Sequence, residues 1–135
     1  MKIKLRKTDR LFTQLMRLIY KYTCQKCGRV YSPDDGLRNL GVSHYYGRSR
    51  ENTRFDEDNC TLLCNLPCHR RWEGEEREDY KNYMIDRLGQ RGFDILTVMA
   101  NVYKKRDDAL TEFILEEKIK DLDALNEVES DIELC

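Results

Sequence analysis

Apolar residues near the start of the chain recur at helical spacing. Leu11, Leu15, Leu18, Ile19 and Tyr22 share one face, predicting a helix over about Asp9 to Tyr22 with Thr8 as N-cap. Lys4, Arg6, Lys7, Arg10, Arg17 and Lys21 decorate that opening region, either as a DNA-facing surface or as the wet side of a helix. The pattern then changes. Residues 23–31 hold a cysteine pair closed by Gly28 and flanked by Val30 and Tyr31, and Pro33-Asp34-Asp35-Gly36 is a turn signal. A strand is predicted over about Val42 to Tyr46, broken by Gly47, and residues 47–58 are polar enough to form a loop. A helix should begin near Cys64–Pro67 and carry His69 and Trp72, the latter as a packing residue.

From Glu75 onward the spacing is helical. One helix runs to Leu88 and stops at Gly89, using Tyr80, Tyr83, Met84 and Leu88. A second covers about Phe93 to Lys105 with Ile95, Leu96, Met99, Val102 and Tyr103 as its apolar set, and a third covers Asp107 to about Leu122. The last dozen residues are acidic and poor in large apolar groups, which predicts a frayed helix or disorder.

Charge adds a second pattern. The net charge of −1 divides into 15 Lys/Arg against 7 Asp/Glu in residues 1–71 and 9 against 18 in residues 72–135. The basic part holds Cys24, Cys27, Cys64, Cys68 and both histidines, which suits a phosphate-bearing partner. The acidic part could fold back on it and compete with that partner; truncation before Asp107 would then tighten binding. No apolar run approaches the roughly 18–20 residues that span a bilayer, and no signal-peptide pattern opens the chain. The expectation is an intracellular, cytoplasmic protein without a membrane partner, in which cysteines ligate metal rather than form disulfides.

Cys24-x2-Cys27 and Cys64-x3-Cys68 are two ligand pairs for one tetrahedral structural Zn2+. The second pair has one residue more than the common spacing, so Cys60 replacing one of that pair, or His69 completing a three-cysteine site, remain alternatives. Cys60 and Cys135 are otherwise left over. Both histidines of the chain lie in this region. His44 sits on the predicted strand, and His69 follows Cys68 on a short lever fixed by the zinc. A zinc clip would bring the strand against the helix start and the two imidazoles near one another. Phosphodiester hydrolysis needs a base to activate water, a cation on the phosphate oxygens and a group that orients the base. His44 can be the base, His69 a cation ligand, and Asn59 the partner that holds the loop and the first imidazole. Arg48, Arg50 and Arg54 could clamp DNA phosphates, and Arg70 and Arg71 are weaker candidates. Tyr45 and Tyr46 could stack on bases, although one of them should be core because strand neighbours face opposite sides.

The order His44…Asn59…His69 resembles the HNH (His-Me finger) nucleases with an embedded zinc knuckle. In that family the asparagine commonly precedes the third zinc cysteine by five residues, as Asn59 precedes Cys64, and the last motif histidine commonly follows the fourth cysteine, as His69 follows Cys68. Residues 43–59 are also similar to the NinG-type recombination nucleases of lambdoid phages, and the likeness covers roughly residues 22–96. The resemblance implies an α+β fold with a ββα-metal core, in which a hairpin carries His44, a helix carries His69, and a catalytic Mg2+ or Mn2+ is shared with DNA phosphate. If the chain is phage-encoded, it would act in the host cytoplasm. Two departures stand out. Ser43 occupies the place where many relatives carry a second cation ligand, which leaves His69 alone unless Asn59, Asp56, Glu57 or Asp58 contributes. NinG-type proteins also tend to close the motif with asparagine.

The chain thus divides into an N-terminal helix (1–22), a zinc-knuckle HNH core (23–74), a helical extension (75–122) and an acidic tail (123–135). The leading expectation is a cation-dependent DNA endonuclease, acting on branched recombination intermediates if the NinG likeness extends to substrate. Symmetric cutting would call for a homodimer, which the C-terminal helices could form. The alternatives are a noncatalytic zinc-finger DNA-binding or assembly protein, favoured by Ser43, and a zinc-stabilised helical adaptor. Cation-dependent cutting separates the first from the others, and salt-dependent DNA binding separates the last two.

Overall fold

The computed structural model describes residues 4–133. The fold is α+β: a two-stranded antiparallel hairpin lies between helices. Helix α1 spans Lys7–Ile19, α2 Pro33–Asn39, α3 Arg70–Glu73, α4 Arg77–Ala100 and α5 Asp108–Glu133. Strands β1 (Leu40–His44) and β2 (Cys60–Cys64) pair with Leu40 opposite Cys64 and His44 opposite Cys60. Every residue of β2 is buried, because both faces of the hairpin are covered. Phe12 of α1 packs beside His44 on one face. On the other, Tyr80 and Met84 of α4 meet Ser43 and Thr61.

Helix α1 starts and ends earlier than the sequence predicts. Thr8 is buried inside it, and Arg6 takes the N-cap position because its backbone N–H donates 2.7 Å to the Asp9 carboxylate three residues on. Negative charge at that first turn also complements the helix dipole. The helix stops because Lys21 and Tyr22 adopt left-handed φ angles of 52° and 55°, which turn the chain into the knuckle. The turn expected at Pro33–Gly36 is the first turn of α2. Pro33 is pre-set for a helix start, and Ser32 Oγ accepts from the Asp35 N–H at 3.2 Å.

The strand of His44 lies two residues earlier than predicted, and the helix expected from Cys64 is a single turn, α3, preceded by a wide turn over Asn65–His69. The two helices expected on either side of Gly89 run together as α4, with a break at Gly89 where φ is +76°, a conformation open to glycine. Phe93, Leu96 and Ala100 of the second segment are buried and Ile95 and Val98 exposed; the helix ends at Ala100 rather than at Lys105 as expected, so Val102 and Tyr103 lie beyond it and are exposed.

The acidic C-terminal segment is not frayed over its described part. Helix α5 continues to Glu133, buries Leu115 and Ile119, and runs alongside α1 in the same direction. Arg6 meets Asp108 at 3.1 Å, Lys7 meets Glu112 and Glu116 at 3.7 and 3.5 Å, and Lys21 meets Glu129 at 4.0 Å. The acidic part therefore folds onto the basic part, as the charge pattern allows. It is part of the core, however, so truncation before Asp107 would expose apolar surface rather than simply uncover α1. Cys135 lies outside the described residues. No helix among the described residues is long and apolar enough to cross a membrane.

Candidate metal centre and active site

Residues 23–31 form a closed loop, bridged between Thr23 and Val30, in which the Cys24 N–H donates to Arg29 O and the Gly28 N–H to Cys24 O, each at 2.9 Å. The Gln25 N–H donates to Leu62 O at 2.9 Å and fastens this knuckle to β2. Cys24, Cys27, Cys64 and Cys68 converge there, with all four Sγ atoms within 4.8 Å of one another, so the cluster can hold a metal ion. Sulfurs around a tetrahedral zinc with bonds of about 2.3 Å lie about 3.8 Å apart, so the donor set fits Zn2+ with a small contraction. The extra residue in Cys64-x3-Cys68 is absorbed by Leu66, whose extended backbone (φ −135°, ψ 129°) widens the turn. Cys60 is not part of the cluster. It lies at the far end of β2, about 13 Å away at 3.3 Å per strand residue, with Sγ 3.8 Å from Arg54 O. His69 is outside it as well.

Successive strand side chains face opposite sides, and Ser43 and His44 open onto different surroundings. On the Ser43 side, Tyr80 Oη donates to Ser43 Oγ at 3.0 Å, and Ser43 Oγ donates to Glu73 Oε1 at 2.9 Å. His69 Nε2 lies 2.9 Å from the same oxygen. Partial burial works against the Glu73 charge, but the His69 and Ser43 contacts outweigh it and hold the carboxyl below its ordinary range. Glu73 is the residue that sequence reasoning missed. Its signal was the i, i+4 spacing from His69, which puts both on one side of a helical turn. A nitrogen and an oxygen 2.9 Å apart match neighbouring ligands of an octahedral cation with bonds near 2.1 Å, whose separation is about 3 Å. His69 and Glu73 could thus hold one divalent cation where Ser43 could not.

On the other side, His44 is 8% exposed, and its Nε2 lies 2.9 Å from Arg54 O. A carbonyl only accepts, so the ring proton sits on Nε2 and the Nδ1 lone pair is left for other use. Burial, with the nearby Arg48 charge added, pushes His44 down to about 4. The two imidazoles thus have separate partners, Arg54 O for His44 and the Glu73 carboxylate for His69.

The His44 shift carries a stability prediction. Between pH 6.5 and about 4 the unfolded chain binds the His44 proton and the folded chain does not. Folding should weaken as pH falls through that window, by on the order of 3 kcal/mol in total. Denaturant midpoints measured across it should flatten in His44→Gln relative to the native chain; parallel curves would sink the assignment.

Asn59 is fully buried, and its side chain is fully engaged. Oδ1 accepts the Tyr46 N–H at 2.9 Å, while Nδ2 donates to Tyr46 O at 2.9 Å and Thr53 O at 3.1 Å. It closes the loop whose Arg54 carbonyl meets His44, so it positions the imidazole indirectly, with both amide N–H groups spent on that loop. Asp56 accepts from the Asp58 N–H, and Glu57 pairs with Lys118.

The three loop arginines separate. Arg54 is not available to phosphate: it is 5% exposed, and its guanidinium grips Asp9 at 2.9 and 2.6 Å and donates to Arg48 O and Lys4 O. Arg50 donates to Ala100 O and Asn101 Oδ1 at the C-terminus of α4. Arg48 is half-buried, with its Nε 3.9 Å from Asp9 Oδ1. Tyr45 and Tyr46 both pack: Tyr45 is edge-on to Tyr80, and Tyr46 Oη meets Thr97 Oγ1 at 2.6 Å. Trp72 stacks on Tyr80 at 4.8 Å, as a packing residue should. Comparison of the chain with family models, curated proteins and solved structures returns no match.

Proposed function

We propose that the protein is a cation-dependent endonuclease that hydrolyses DNA phosphodiester bonds, built on an HNH-like ββα core and held by a structural zinc ion. What supports the reading is one juxtaposition. Glu73 of the His69–Glu73 pair is bonded to Ser43, the next residue along β1 carries the free Nδ1 of His44, and Cys68 of the cysteine cluster directly precedes His69. When bound to His69 and Glu73, Mg2+ or Mn2+ would supply positive charge to the phosphate oxygens. His44 Nδ1 accepts a proton from the attacking water, while Arg54 O keeps the ring in the tautomer that leaves Nδ1 open. Ser43 and Tyr80 orient Glu73, and Asn59 holds the loop that orients His44.

The test is incubation of the purified chain with linear, single-stranded and four-way-junction DNA at varied Mg2+ or Mn2+. Cutting should require the cation and fall by roughly 10²–10⁴-fold in His44→Ala, the usual contribution of a general base. Glu73→Gln should raise the cation concentration needed. Cutting that ignores both substitutions would overturn the assignment. DNA binding without cutting of any substrate would favour the noncatalytic zinc-finger reading.

A further inference from the structure

Helix α1 presents three faces, set by 100° per residue. Thr8, Phe12, Leu15 and Met16 face the core. Lys7 faces the carboxylates of α5, while Arg6 just before the helix and Lys21 just beyond it also pair with that helix. The third face carries Arg10, Thr13 and Arg17 at i, i+3 and i+7. There the helix borders a cavity of about 320 Å³, also lined by Leu5, Asp9 and Arg48.

The charge inside that cavity is unbalanced. Asp9 is its only acidic wall, and both Asp9 oxygens are taken by Arg54. Among the described residues, neither Arg10 nor Arg17 forms an ion pair with a carboxylate. Arg17 is braced by donating to Leu40 O and Leu37 O, which fixes its guanidinium without neutralising it. Arg48 Nε is buried without a hydrogen bond and makes only a long ion pair, 3.9 Å to the Asp9 Oδ1 that already accepts from Arg54. Glu51 and the α5 carboxylates pair with Arg6, Lys7 and Lys21, and leave Arg10, Arg17 and Arg48 grouped around the cavity.

We propose that this cavity is a phosphate-binding site, formed by Arg10, Thr13, Arg17 and Arg48, that takes a backbone phosphate of the DNA strand next to His44. The proposal rests on DNA being the polymer bound, but not on its being cut. It gives α1, which lies outside the HNH-like region, a direct part in substrate binding. It also explains why the acidic helix does not abolish an anionic partner's access: α5 covers a different face of α1. A tetrahedral phosphate matches the guanidinium donors, and Thr13 Oγ1, which donates to Asp9 O at 2.9 Å, would have to turn from that carbonyl to donate to the phosphate.

The test is fluorescence anisotropy with a short DNA duplex, without added divalent cation, over roughly 50–200 mM salt. Each lost phosphate contact lowers the slope of log affinity against log salt by about 0.9. Arg10→Gln and Arg48→Gln should each weaken binding several-fold at low salt and reduce the slope by about that amount. Arg91→Gln, at an exposed position of α4, should leave the slope at its native value. Native slopes in both cavity variants, or no DNA binding by the native chain, would overturn the site. A chain that binds with an Arg10-dependent slope yet never cuts would refute the nuclease reading and leave this site standing. A chain that cuts while both variants keep the native slope would do the reverse.

Discussion

Cys64→Ser is expected to abolish zinc binding by the cysteine cluster and leave a chain with no cooperative thermal transition above room temperature. The expectation follows from scale. Structural zinc sites contribute roughly 10–16 kcal/mol of apparent folding free energy, whereas a domain of this size is stable by only about 5–15 kcal/mol in total. The loss would not stay local. Cys64 is also the last residue of β2, paired with Leu40, and the knuckle is tied to the same strand by the Gln25–Leu62 hydrogen bond. Without the ion, the loop over residues 23–31 keeps that bond and the Thr23–Val30 bridge, too little to offset its ordering entropy. Cys68 then no longer anchors His69, so any activity should fall even with excess Mg2+ present. Metal content measured with a chromophoric chelator should be one zinc per native chain and none in Cys64→Ser. Cys60→Ser should keep the full complement, because that thiol is remote from the cluster. A Cys64→Ser protein that retained both its zinc and its melting temperature would refute the assignment of the cluster.

The cysteine cluster was legible in the sequence because ligand spacing is a local property: Cys24-x2-Cys27 and Cys64-x3-Cys68 each close within a turn. The helices were legible for a similar reason, although their ends shifted where a contact distant in sequence or an unusual backbone angle decided them, as at Tyr22. What could not be read was long-range partnership. Arg54 looks like a phosphate ligand in a polar loop until Asp9, 45 residues away, is placed against it. Glu73 looks like one more charge in an acidic stretch until the hairpin brings Ser43 to it. The acidic C-terminal segment has the composition of a solvated tail, yet a few apolar residues, Leu115 and Ile119 among them, suffice to dock it once α1 offers matching cations. Composition averages over a segment; docking depends on one face of it.

Asp9→Ala should destabilise the fold by about 3–5 kcal/mol, the usual cost of leaving one partner of a buried ion pair uncompensated. For a chain of this length that corresponds to a fall in Tm of roughly 10–20 °C. Asp9 carries three loads at once. It neutralises a guanidinium that is only 5% exposed, it accepts the Arg6 N–H that opens α1, and it faces Arg48 across the proposed phosphate cavity. Burial opposes its charge, but Arg54 and the Arg6 amide hold the Asp9 carboxyl below its ordinary value. Its contribution is therefore present above the unfolded carboxylate range and lost as pH falls through the folded one. Asp9→Asn should cost less than Asp9→Ala, since the amide oxygen can still accept from Arg6. Replacing both partners, Asp9→Leu with Arg54→Met, should recover a large part of the loss, because no buried charge is then stranded. Urea midpoints of the two single variants and the double variant form the cycle that measures this. Additive losses would mean that the pair is not coupled and that Arg54 is held by its carbonyl contacts alone. Coupling would instead show that the loop presenting the Arg54 carbonyl to His44 is braced from α1, through a contact far from either histidine in sequence.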